Sequence, residues 1–111
     1  MLHPPLYAHG DTDIAAAMRK RAIMRFRVMF DFVAGEQRTM DFREALANVK
    51  CPTLVVAGAL DPITPVACAQ EIVESLPEGI GRLEVFEGCG HGVHRDRPDA
   101  AEAMLRGFLA S

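Results

Sequence analysis

The sequence predicts an α/β protein: two parallel strands with flanking helices, preceded by a long helix. Three observations carry that prediction. Leu54 to Ala57 is a short unbroken apolar run, the signature of a parallel strand covered on both faces rather than a hairpin strand with one wet side. From Pro52 onward the order reads strand, helix, strand, helix, which implies parallel strands joined by a crossover. Before it, apolar residues recur at helical spacing from Ile14 to Val33.

Residues 1 to 10 hold two prolines, two histidines and a glycine with no periodicity, and read as an irregular lead-in in which His3 and His9 carry no signal. Ile14, Met18, Ala22, Phe26, Met29, Phe30 and Val33 then outline one long amphipathic helix, with Gly35 placed to close it. Its other faces are basic, since Arg19, Lys20, Arg21, Arg25 and Arg27 are five of the twelve positive charges. Such a face is the ordinary solvated side of a helix.

Glu36 to Met40 reads as a loop. Asp41 to Asn48 reads as a short helix with Phe42, Ala45 and Leu46 on one face. The strand Leu54–Ala57 ends at Gly58, and Asp61 follows just beyond its carboxyl end, where open α/β sheets put their functional groups. Pro62 and Pro65 stiffen this turn, and Thr64 reads as the N-cap of the next helix with Pro65 at its first position. Val66, Ala69, Val73 and Leu76 give that helix its apolar stripe, and Pro77 and Gly79 end it. Arg82 to Phe86 is the second strand. Glu87 to His94 is a glycine-rich turn with two histidines, and Pro98 opens a last helix striped by Ala101, Met104, Leu105 and Phe108.

Composition bounds the function. The 111 residues make one domain or part of one, and the net charge of −3 gives no general attraction to nucleic acid or anionic lipid. No apolar run approaches the roughly 20 residues that span a bilayer. Cys51, Cys68 and Cys89 fit no disulfide framework, which points to a reducing cytoplasm.

Two parallel strands have their carboxyl ends on one side, so the topology brings Asp61 and His91 together across thirty positions of sequence. A carboxylate against an imidazole fixes the ring's tautomer and stabilises its protonated form, as a general base requires. Cys89 between two glycines is read as an inert thiol rather than a nucleophile. Cys89, His91 and His94 have the spacing of metal ligands but lack a fourth ligand nearby. Neither a metal nor a cofactor is expected.

Pro52 to Pro65, followed by Phe86-Glu-Gly-Cys-Gly-His91 and Asp96-Arg-Pro98, resembles the C-terminal end of an α/β-hydrolase, most closely the proline iminopeptidase-like members. The resemblance implies a partial α/β-hydrolase fold over residues 41–111, with residues 1–40 as the end of a helical cap. It implies that Asp61 is the acid and His91 the histidine of a catalytic triad. The superfamily's nucleophile elbow, G-x-S-x-G, has no counterpart. The serines present are Ser75, at a helix end, and Ser111, the last residue. A truncated hydrolase acting on ester or amide bonds of a small molecule or peptide, inactive alone, is therefore expected. The alternative is a non-catalytic oligomerisation or partner-binding module. Glu36 is a candidate remnant for meeting a substrate amine, though a loop glutamate is more often simply solvated. The first strand, built for burial, would keep one edge open. Self-association through that edge, or pairing with a separate N-terminal half, is expected.

Overall fold

A computed structural model describes residues 12–111; the lead-in with His3 and His9 lies outside the described residues. Nine elements follow in order: α1 (Thr12–Arg21), α2 (Phe26–Ala34), a 3₁₀ turn (Glu36–Arg38), α3 (Arg43–Leu46), β1 (Thr53–Gly58), α4 (Val66–Ser75), β2 (Gly81–Phe86), α5 (Val93–Asp96) and α6 (Pro98–Ala110).

β1 and β2 pair in parallel, in register from Thr53 opposite Gly81 to Gly58 opposite Phe86. α4 makes the crossover and packs on both strands, while α5 touches β1 and α6. This is the predicted strand, helix, strand, helix order, with both carboxyl ends on one side. The turns are shaped by glycine where φ is positive, at Gly79 (80°) before β2 and at Gly88 (71°) after it.

The long helix of the sequence reading is instead two. α1 ends at Arg21, where the Ala22 N–H bonds the Arg19 carbonyl at 3.3 Å, a three-residue step that tightens the last turn. Arg25 is not helical (φ −105°, ψ 82°), and α2 starts after it. A continuous helix would set Arg21 and Arg25 one turn apart, a like-charge pair at i,i+4. No buried face offsets that cost, since no residue of α2 is buried. Helical stability in proteins comes mainly from packing an apolar face. Phe26 and Phe30 stack on each other with ring centroids 6.5 Å apart, yet Phe30 remains 62 % exposed. Gly35 closes α2 as expected, its N–H reaching the Asp31 and Phe32 carbonyls. The five basic side chains of this region are exposed, and Arg27 pairs with Asp31 one turn on.

The segment from Asp41 to Asn48 is helical only over Arg43–Leu46. Phe42 and Ala45 are exposed and Leu46 is half-buried, so the expected apolar face is not covered. The segment is held instead by charge. Asp41 Oδ1 accepts the Arg43 backbone N–H at 3.0 Å, and Arg43 Nη1 bonds Glu71 of α4 at 2.7 Å.

The core is small. Cys89, Val93 and Ala101 form its buried centre, with Val56 and Phe86 packed against it. β1 was expected to be covered on both faces, but only Ala57 and Gly58 are buried while Leu54, Val55 and Val56 stay half-exposed. Among the described residues β1 has one strand neighbour, and its middle residues Val55 and Val56 border an open cleft of about 380 Å³. Among the described residues no helix is long and apolar enough to cross a membrane.

Candidate active site

Gly58 ends β1 against the loop that follows β2. A Cβ built on Gly58 would lie 2.1 Å from the Gly90 carbonyl oxygen and 2.6 Å from that of Cys89. Only glycine allows this approach. Backbone bonds then join the two loops: the Ala59 N–H donates to the Phe86 carbonyl and the Leu60 N–H to the Cys89 carbonyl, both at 2.9 Å. The turn after β1 and the turn after β2 are thereby fixed to each other just before the two candidate side chains, at Leu60, one residue before Asp61, and at Cys89, two before His91.

Within the first turn Asp61 organises its own surroundings. Its Oδ1 accepts the N–H groups of Ile63 (2.8 Å) and Thr64 (3.1 Å), the Asx-turn geometry that aspartate favours. Pro62, between them, has no N–H to satisfy. Oδ2 accepts the Thr64 hydroxyl at 2.8 Å and faces His91 Nδ1 at 2.9 Å. The sequence reading thus named the two residues that the fold unites.

The Asp61 side chain is 6 % exposed and that of His91 32 %. Burial alone would raise the Asp61 pKa. The Thr64 N–H, His91, the Thr64 hydroxyl and the Ile63 N–H together outweigh burial and hold it down at about 2. A carboxylate ionised at neutral pH against Nδ1 favours the tautomer with its proton on that nitrogen, an arrangement in which Nε2 is the nitrogen able to act as a base.

The histidine loop has an anchor of its own. Asp96, whose side chain is 2 % exposed, accepts the Gly90 N–H at 2.8 Å and lies 3.6 Å from Arg95 Nε. Arg95 folds over Gly92, where a Cβ would meet its guanidinium at 2.6 Å.

Sequence reasoning quoted Asp96 in a motif without giving it a role, and it misread Thr64. The N-cap of α4 is Pro65, with no side-chain cap bond, and the Thr64 hydroxyl turns back to Asp61. A threonine three residues after an aspartate in a proline-braced turn was the available signal.

Other candidates lie elsewhere. Cys89 is fully buried in the core, where burial and then the nearby Asp96 charge raise its thiol pKa. That is the environment of an inert thiol. His94 is exposed, and among the described residues no group of three His, Cys, Asp or Glu side chains is placed to hold a metal ion. Ser75 donates to the Glu71 carbonyl (2.7 Å) at the end of α4, and Ser111, just past α6, donates to the Phe108 carbonyl (2.6 Å). Glu36 is exposed in the 3₁₀ turn.

An acid and a histidine at the carboxyl ends of adjacent parallel strands now meet a match to a family model, serine aminopeptidase S33, over residues 5–98. The chain belongs to the serine aminopeptidase S33 family. This S33 chain is thereby a member of the α/β-hydrolase superfamily. It is similar to monoacylglycerol lipase ABHD6 of Mus musculus, with 29% identity over 86 residues, 78% of this chain and 25% of the lipase. It is also similar to the putative carbamate hydrolase RutD of Caulobacter sp. (strain K31), with 34% identity over 70 residues, 63% of this chain and 25% of the relative. Among solved structures, an esterase, RhEst1 from Rhodococcus sp. ECU1013, superposes with a TM-score of 0.58 at 28% identity, covering 62% of this chain and 24% of the esterase. The S33 chain therefore adopts a partial α/β-hydrolase fold. It spans about a quarter of the length of the curated relatives it matches.

Proposed function

We propose that this chain supplies the acid and the base of a serine hydrolase that cleaves carboxylic esters, with the nucleophile contributed by polypeptide outside these 111 residues. The observation that carries the reading is the 2.9 Å contact between Asp61 Oδ2 and His91 Nδ1, made by a carboxylate that four hydrogen bonds keep ionised. The relatives named as lipase and esterase support an ester substrate. The family description supports an amide as the second class, of which an N-terminal proline amide is the member implied by the motif resemblance.

In the reaction, His91 Nε2 takes the proton of the serine hydroxyl as its oxygen attacks the ester carbonyl, and Asp61 holds the imidazolium. The tetrahedral intermediate collapses to an acyl-enzyme, and His91 passes the proton to the departing alkoxide. Water then repeats the cycle on the acyl group. No cofactor enters.

Neither Ser75 nor Ser111 stands in an elbow between a strand and a helix, so the isolated chain turns over nothing. Residues 1–40 serve as the end of a cap. The free thiols at Cys51, Cys68 and Cys89 support a reducing, cytoplasmic setting. The half-exposed β1 and the apolar α2 are covered either by a second copy or by polypeptide outside these 111 residues.

The test joins the upstream sequence to this chain and measures hydrolysis of nitrophenyl butyrate and of proline nitroanilide. His91→Ala and Asp61→Ala each lose at least about a hundredfold in kcat. Full activity in either variant overturns the reading. An upstream sequence without a nucleophile, together with capture of a defined partner, favours the non-catalytic module instead.

A further inference from the structure

The Thr64 hydroxyl sits between the two functional side chains, 2.8 Å from Asp61 Oδ2 and 3.3 Å from His91 Nδ1. A hydroxyl has one proton and two lone pairs, and an ionised carboxylate can only accept. The proton therefore goes to Asp61, and toward His91 the oxygen presents a lone pair. Nδ1 thus faces two acceptors, Asp61 Oδ2 at 2.9 Å and Thr64 Oγ1 at 3.3 Å. A protonated Nδ1 satisfies both at once; a bare Nδ1 would set its lone pair against two others.

We propose that Thr64 is a positioning residue, whose hydroxyl locks His91 in the Nδ1–H tautomer by orienting Asp61 Oδ2 and backing it with a second acceptor. The backbone makes this possible. Pro65 takes the cap position of α4, and the Thr64 N–H is bonded to Asp61 Oδ1, so both the main chain and the side chain of Thr64 face the acid. The catalytic consequence, a lone pair held ready at Nε2, rests on the reading of Asp61 and His91 as acid and base. The tautomer itself does not.

The experiment is long-range proton–nitrogen correlation NMR of the histidine rings in the purified 111-residue chain, with the His91 signals assigned from a His91→Gln variant. Thr64→Val keeps the shape and removes the hydroxyl, Thr64→Ser restores it, and amide spectra report the fold. Where valine perturbs the amides, Thr64→Ala takes its place. The parent and Thr64→Ser are expected to show the Nδ1–H tautomer with a slowly exchanging ring proton. Thr64→Val is expected to exchange that proton about tenfold faster, the loss of one bond to a charged group, and to gain visible Nε2–H tautomer. Thr64→Val indistinguishable from the parent overturns the proposal and leaves the acid and base assignment intact. A parent with Nδ1 unprotonated overturns both.

Discussion

Gly58 and Gly90 hold the two loops of the candidate site in backbone contact: a single carbon added to Gly58 would stand 2.1 Å from the Gly90 carbonyl oxygen. Gly58→Ala must push the histidine loop away from the acid turn. The substitution is expected to destabilise the chain by about 1–3 kcal/mol, the usual cost of overpacking. Urea unfolding reads the stability, and the His91 ring signals read the separation from Asp61. A variant as stable as the parent, with unchanged His91 signals, would show that the loops have slack.

Acid should weaken the fold through Asp61. Its pKa of about 2 in the folded chain lies below the value of about 3.9 for an unfolded aspartate. The carboxylate therefore stabilises the fold fully above about pH 4, and that contribution is lost as pH falls toward about 2. Asp41, held at about 2 by its hydrogen bonds to Arg43, acts in the same window and with the same sign. Asp61→Asn is expected to flatten the decline of stability between pH 4 and 2 without abolishing it. Denaturant midpoints at half-unit steps of pH check this, and an unchanged slope would contradict it.

The three thiols should separate by reactivity. Cys51 and Cys68 are exposed, whereas Cys89 is buried and its pKa is raised by that burial. Iodoacetamide at neutral pH is expected to label Cys51 and Cys68 in the native chain and to reach Cys89 only in denaturant. Mass spectrometry of the peptides decides it. Rapid native labelling of Cys89 would mean that its core opens readily.

Association should depend on α2. Val28 and Phe30 are 67 % and 62 % exposed on a helix with no buried residue, and the sheet has two strands among the described residues. Sedimentation of the purified chain is expected to show dimers or larger species that Phe30→Glu and Val28→Glu shift toward monomer. A monomeric parent at tens of micromolar concentration would contradict this.

The sequence by itself determined the strand, helix, strand, helix order, because an apolar run, a glycine stop and a proline-braced helix start are local signals. From that order alone it paired Asp61 with His91, since parallel strands end on one side. What it did not determine depended on contacts across the chain. The helical periodicity from Ile14 to Val33 was real, but without a buried face it did not bridge the like charges at Arg21 and Arg25. The depth of β1 was overstated because an apolar run records what a strand is built to meet, whereas burial depends on the neighbours present. Thr64 was locally a good helix cap. Only the tertiary structure set His91 beside the Asp61–Thr64 turn, where the hydroxyl donates to an ionised carboxylate and turns a lone pair toward Nδ1 instead of accepting a backbone N–H as a helix cap.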